Sequence, residues 1–381
     1  MDLRGTEVKV FIIYVLRVFL AIIYAPLKLL PSKKNKVIFL SRQTNGASLD
    51  YRLIQDYLKE QKPDIKIVSI CRRYEKKEKG NIEYVIFLKN ILRSVYHLAT
   101  SRVCVIDGYW PAVSMLKHKK TLTVVQIWHA MGKIKESGYK ALNKKSGRNP
   151  KIAKAMAMHR NYDVIIAGGK AWNKFYCESF DVSEDVLLNC GLPRIDYLLA
   201  TKEENKERIL KAYPELENKK VLLYAPTFRR GWNAEWDSFA ELLDFNKYAL
   251  IVKNHPNQKL NLTADCLTCD EFSSVELLSV CDYLITDYSA IAVEGALLDV
   301  KTFYYVYDYE QYKENNGLNI DLFEEMPGCV FENAESLTEA LEKDYPAAAL
   351  ENYKKKFLPE NLGTSTKAIG DYIIDSLGKR K

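Results

Sequence analysis

KVIFLSRQTNGASLDYRLIQDYLKEQKPDIKIVSI, residues 36–70, decides the fold. The run at 36–41 has the length and branched apolar content of a buried strand. The segment from Leu49 to Gln61 carries its apolar residues at helical spacing, and a second strand-like run follows at 65–70. Strand, helix, strand is a βαβ unit, which joins parallel strands. The alternation continues outward with RVCVID at 102–107, TLTVVQIW at 121–128 and YDVIIAGG at 162–169, and resumes with KKVLLYAPT at 219–227, YALIVKNH at 248–255, CDYLITD at 281–287 and VKTFYYVYD at 300–308. Two series of this kind predict an α/β protein of two wound parallel-sheet domains facing each other across a cleft. Ligands are expected at the carboxyl ends of the strands. Glu203 to Asn218, rich in Glu and Lys, separates the series, so the domains are placed at 35–200 and 201–381. The carboxy-terminal segment from Tyr353 is predicted to be helical and to pack back on the first domain.

Upstream, VKVFIIYVLRVFLAIIYAPLKLL at 8–30 is nearly long enough to cross a bilayer, but Arg17 interrupts it and Pro26 and Lys28 end it. With Lys33, Lys34 and Lys36 following, the reading is a helix in residues 1–34 that lies in the cytoplasmic leaflet of an anionic membrane. The alternative is a helix packed on the chain's own core. The eight Cys show no repeated spacing, which fits a reducing compartment. Only Cys266 and Cys269 form a CxxC, too few ligands for zinc, so no metal is expected.

The formal net charge is +7, but residues 131–160 alone hold Lys133, Lys135, Lys140, Lys144, Lys145, Arg148, Lys151, Lys154 and Arg160 against Glu136. That block predicts an anionic partner, with Lys133, Lys135, Lys140, Lys144, Lys145 and Arg148 as its contacts. No nucleic-acid-binding motif accompanies them, so a phosphate-bearing lipid or polymer fits better than nucleic acid.

Two of the five His close strand-like runs. His129, after Trp128 and before Gly132 and Lys133, sits where an imidazole meets a cleft and can take a proton near neutral pH. Lys253, Asn254 and His255 precede Pro256 at another strand tip, a cationic turn suited to phosphate. Ser289 and Ala290 open a helix after TDY, with Ser289 expected as N-cap, and Glu294 one turn on could accept a ribose hydroxyl. Arg194 in GLPRID and Arg229 in APTFRR add charge to the same cleft.

The ordered set WHA, GLPRID, APTFRR, KNHP and TDYSAIAVE resembles the CDP-glycerol glycerophosphotransferase family of teichoic acid synthesis, across roughly residues 36–330. Ala130 stands where that motif usually has Gly, and Ala290 and Glu294 where the family commonly has Ser and Asp. The resemblance implies a GT-B-like fold of two Rossmann-like domains with a membrane-associated amino-terminal helix, and a CDP-glycerol or CDP-ribitol donor. It also implies a lipid-linked anionic acceptor and no cofactor. By the same resemblance His129 is the catalytic residue and Arg194, Thr227, Arg229, His255, Ser289 and Glu294 match donor-binding positions; Trp128, Phe228, Lys253, Asn254 and Ala290, their neighbours in the same stretches, complete the expected donor contacts. The expected reaction is transfer of glycerol phosphate with release of CMP. The alternatives are a ribitol phosphate donor, a GT-B nucleotide-sugar glycosyltransferase, or a non-catalytic membrane-bound module that holds polyanions.

Overall fold

The computed structural model describes residues 3–74, 76–229, 238–253 and 265–378. Six parallel strands make the first sheet: β1 (Lys36–Ser41), β2 (Lys66–Cys71), β3 (Val103–Ile106), β4 (Thr123–Gln126), β5 (Val164–Ala167) and β6 (Leu187–Asn189), in the order β2-β1-β3-β4-β5-β6. Five more make the second: β7 (Lys220–Tyr224), β8 (Tyr248–Val252), β9 (Tyr283–Thr286), β10 (Lys301–Tyr305) and β11 (Val330–Phe331), in the order β11-β10-β9-β7-β8. The central strands β1, β3, β4, β5 and β9 are buried along their whole length, because helices cover both faces of a parallel sheet. The helix Leu49–Gln61 forms as the pattern predicts, with Ser48 accepting the Tyr51 N–H as its N-cap.

The helix Arg194–Ala212 carries the chain from the first sheet to the second. It begins in GLPRID, where Gly191 turns at a φ of +73°, so that the predicted linker is the latter part of this helix followed by a 3-10 turn at Pro214–Leu216. The chain then returns. Helix Ala347–Phe357 stacks Phe357 on Trp172, with ring centroids 4.2 Å apart. The last helix, Ser365–Gly378, docks on Leu49–Gln61, where the Tyr57 hydroxyl donates to Asp371 Oδ1 at 2.7 Å. The carboxy terminus thus packs on the first domain, as read from the sequence.

The amino-terminal segment forms one helix, Leu3–Leu27. Its stretch Gly5–Leu27 is long and apolar enough to cross a membrane, by length and composition. Leu20 and Tyr24 are buried, while Val8, Phe11, Ile12, Val15, Val18, Phe19 and Ile22 are exposed. The core-helix alternative therefore accounts for only a narrow stripe of it. Helix Lys76–Thr100 lies alongside and exposes Ile82, Tyr84, Val85 and Leu88, so two neighbouring helices present apolar side chains outward.

The loop after β4 is sewn to the second domain. Asn319 Nδ2 donates to the carbonyls of Lys133 at 2.6 Å and Lys135 at 3.1 Å, and the Glu136 N–H donates to Gly317 O at 3.0 Å. At Gly132 the backbone comes so near helix Ile291–Leu297 that a Cβ would stand 2.8 Å from Val293 Cγ2. Gly132→Ala is therefore expected to destabilise the seam by about 1–3 kcal/mol. Adding Val293→Ala should return most of that loss in thermal unfolding, and a strictly additive pair would show that the methyl clashes elsewhere.

Candidate active site

Gln126, the last residue of β4, is fully buried and accepts the Trp128 N–H at 2.9 Å through Oε1. That bond holds Trp128 at a φ of +57°, a left-handed conformation that costs an aromatic residue about 1–2 kcal/mol. The bend turns His129 toward the end of β3, where its Nδ1 lies 3.0 Å from the Asp107 carbonyl oxygen. A carbonyl only accepts, so Nδ1 carries the hydrogen and Nε2 keeps its lone pair. The ring is open to solvent on one side. Crowding by protein within the cleft, then the positive charges of Lys133, Arg194 and Lys135, depress its pKa to about 4 against the pull of the carbonyl. At neutral pH it is an uncharged imidazole with a free basic nitrogen.

Among the described residues, the ring contacts of Trp128 fall within the first domain. Its ring packs at 4.2 Å on His129 and covers Lys133, whose Nζ lies 4.6 Å from the Trp128 ring, 4.7 Å from Phe180 and 5.2 Å from Tyr176. Lys133 is only 3% exposed, and its Nζ donates to Ser137 Oγ at 2.6 Å. Burial lowers its pKa to about 7. The expectation that Lys133 touches a polyanion is thus corrected: an aromatic cage encloses it behind the catalytic candidate.

Arg194 spans the cleft. Asp50, buried on helix Leu49–Gln61, accepts its backbone N–H at 2.9 Å and grips the guanidinium through Nε at 3.0 Å and through Nη2. Arg194 Nη1 also stands 3.6 Å from Glu294 Oε1 in the second domain. Glu294 Oε2 is buried and has no hydrogen-bond partner among the described residues. Burial pushes the Glu294 carboxyl up to about 7 despite Arg194. Beneath His129, Asp107 is likewise pushed up to about 7 by burial, with the Ser41 hydroxyl donating to it at 2.6 Å. Asp50, Ser41 and Asp107 went unnoticed in the sequence; the one available signal was the acid or hydroxyl that closes β1 and β3.

In the second domain, Thr227 and half-buried Phe228 follow β7, and the Thr227 N–H donates to Asp287 at 2.9 Å. Thr227 Oγ1 lies 3.5 Å from Lys135 Nζ, so Lys135 faces the cleft rather than an outer surface. Burial lowers Lys135 to about 8. Ser289 and Ala290 are half-buried at the start of helix Ile291–Leu297. Ala290 rather than Ser289 is the N-cap, because the Ile291 N–H reaches Ser289 Oγ only at 3.5 Å.

Arg229 is placed otherwise than the sequence suggested. It is 3% exposed; Nη1 donates to Asp287 at 2.6 Å, Nε and Nη2 to Asp308 at 2.6 and 2.9 Å, and Tyr288, Tyr307 and Tyr312 surround it. Its guanidinium neutralises two buried carboxylates and is not offered to the cleft. Lys253 Nζ donates to the carbonyls of Thr268 and Cys269, both at 3.0 Å, which turns it to a neighbouring loop. Asn254 and His255 lie outside the described residues.

The remaining basic residues divide. Lys140 pairs with Glu178 at 2.5 Å and Lys144 with Glu136 at 2.9 Å, which neutralises part of the block. Lys145 and Arg148 are exposed, Arg148 reaching Met156 Sδ at 3.8 Å. Lys151 pairs with Glu7 of the amino-terminal helix.

Comparison with known proteins shows the family and the fold in which this geometry lies. The profile of the CDP-Glycerol:Poly(glycerophosphate) glycerophosphotransferase family matches residues 22–375. A teichoic acid ribitol-phosphate primase of Bacillus spizizenii is 31% identical over 369 residues, 92% of this chain and 93% of that protein. A teichoic acid glycerol-phosphate primase of the same species is 28% identical over 300 residues, 74% of this chain and 77% of that one. The wall teichoic acid polymerase TagF, in a structure soaked with CDPG, matches with a TM-score of 0.73 at 19% identity, covering 91% of this chain and 90% of its own. A UDP-GlcNAc 2-epimerase of Neisseria meningitidis matches at 0.55 with 14% identity, covering 89% of this chain and 100% of its own. These two share the GT-B-like arrangement of the paired sheets.

Proposed function

The chain belongs to the CDP-glycerol:poly(glycerophosphate) glycerophosphotransferase family, and from that premise we propose that His129 is the general base of its reaction. The enzyme is an alditolphosphotransferase of teichoic acid synthesis with CDP-glycerol or CDP-ribitol as donor. The sugar-transferase and silent-module alternatives fall with that membership. An acceptor hydroxyl attacks the alditol-bearing phosphorus of the donor, the P–O bond to CMP breaks, and the hydroxyl proton passes to His129 Nε2. One observation carries this role: the Asp107 carbonyl fixes Nδ1 as the protonated nitrogen and leaves Nε2 unprotonated and open to the cleft. Lys135, Arg194 and the backbone at Ser289 and Ala290 supply positive potential for the diphosphate.

Glu294 Oε2, an unpartnered buried acceptor, fits a ribose hydroxyl of the donor. The carboxylate accepts better than the acid, and its pKa of about 7 places the change near neutrality. Donor KM is therefore expected to fall as pH rises from 6 to 8. Glu294→Gln should raise KM about tenfold or more and flatten that dependence. An unchanged pH profile in the variant removes Glu294 from donor binding.

A ribitol donor is favoured by one comparison, since the match to the ribitol-phosphate primase is longer and closer than that to the glycerol-phosphate primase of the same species. Purified protein given CDP-glycerol or CDP-ribitol with a lipid-linked acceptor decides between them, with CMP release and product mass as readouts. We place the protein at the cytoplasmic face of the membrane, held peripherally by the exposed apolar flank of helix Leu3–Leu27.

A further inference from the structure

A cavity of about 410 Å³ lies where the amino-terminal helix meets the basic segment, lined by Tyr14, Arg17, Tyr139, Lys154 and Arg160 among others. Arg17 interrupts the apolar run that follows Lys9 in the amino-terminal helix, and Lys154 and Arg160 come from about 140 residues further on. Helix Leu3–Leu27 packs on helix Pro150–Ala155, and the Lys151–Glu7 ion pair fixes that contact at one side of the cavity. Among the described residues, no carboxylate pairs with Arg17, Lys154 or Arg160, although acids neutralise Lys140, Lys144 and Lys151 close by. Three cations converging on one concavity repel one another unless an anion joins them.

The cavity opens beside the helix that exposes Tyr14, Val15 and Val18, so an anion bound there has an apolar surface next to it. Inward, it adjoins the catalytic candidate through aromatic rings. Tyr139 packs on His159 at 6.2 Å between centroids, and His159 packs on Trp128 at 6.3 Å, which in turn stacks on His129. A charged pocket with an apolar flank suits an amphiphile whose head is charged and whose chain is not.

We propose that Arg17, Lys154 and Arg160 bind the phosphate of a membrane-borne lipid, whose chain lies along the exposed face of helix Leu3–Leu27. Two sources share this chemistry: the bulk phospholipid headgroup and the phosphate of the lipid-linked acceptor. Only the second rests on the acceptor proposed above. Arg17 is thereby reconciled with its apolar helix, since a lipid phosphate would neutralise it at the bilayer surface.

The test is vesicle binding by the full chain and by the triple variant Arg17→Gln, Lys154→Gln, Arg160→Gln. Vesicles are phosphatidylcholine alone, or phosphatidylcholine doped with phosphatidylglycerol or with a polyprenyl diphosphate. At ~5-fold per cation, the triple variant should lose about a hundredfold in affinity for a vesicle doped with an anionic lipid while binding zwitterionic phosphatidylcholine as the parent does. A control with Lys59→Gln, Lys219→Gln and Lys343→Gln, equal in charge but remote in the fold, should keep most of the parental affinity. Loss on both doped vesicles assigns the bulk headgroup, and loss on the diphosphate vesicle alone assigns the acceptor lipid. Parental binding by the triple variant, or an equal loss in the control, overturns the site. No donor is present, so the result stands whether or not transfer from a CDP-alditol is observed.

Discussion

His129→Ala is expected to lower the rate of CMP release by ~10²–10⁴ and to leave the fold intact. The ring is open to the cleft, and among the described residues its one direct hydrogen bond is to a backbone carbonyl, so its removal opens no core cavity. Donor KM should change little, because the base acts on the acceptor proton. The imidazole should contribute no inflection to the parent's kcat near pH 6.5, since it is depressed to about 4 and is neutral across pH 6–8. Near-parental turnover in a folded variant ends the assignment, and an inflection at 6.5 that vanishes with the ring contradicts the depressed pKa.

Arg229→Ala should be the most destabilising single change at the site, by about 3–5 kcal/mol, because it strands Asp287 and Asp308 as buried charges. The loss depends on pH. Burial alone would raise Asp287, but Arg229 holds its carboxyl below the usual value. A depressed acid contributes stability above its unfolded pKa near 4 and loses it as pH falls through its folded value. The variant's deficit in chemical denaturation should therefore be full at pH 7 and shrink toward pH 3. Asp287→Asn in the same chain should recover part of it, whereas Arg229→Lys, lacking the fork, should not restore the parent. A variant of parental stability with a raised donor KM would return Arg229 to the donor.

Most of the fold was legible because buried parallel strands are continuous apolar runs. The nine longer strands all carry that signal, and the helix Leu49–Gln61 shows apolar residues at helical spacing. β6 and β11 were missed: three and two residues long, half-buried and at sheet edges, they have no apolar run to read. His129 and Arg194 were legible as charged or basic groups at strand tips, but their partners were not. Asp50 lies 144 positions from Arg194, and nothing in a linear pattern joins them. Lys133 shows the limit from the other side. Within a run of cations it reads as surface, and only Tyr176 and Phe180, more than forty positions on, make it interior. Arg229 fails similarly, since its acids, Asp287 and Asp308, come from just beyond β9 and β10.

The docking of helix Ser365–Gly378 on Leu49–Gln61 also sets the timing of assembly. Tyr57 and Asp371 are 314 positions apart, and Gly370 packs closely on the Tyr57 ring. During translation at about 5–20 residues per second, the first sheet waits tens of seconds for the segment that covers it. So late a contact raises contact order and leaves the nascent amino-terminal half with uncovered apolar surface, a natural client for chaperones until that helix has emerged.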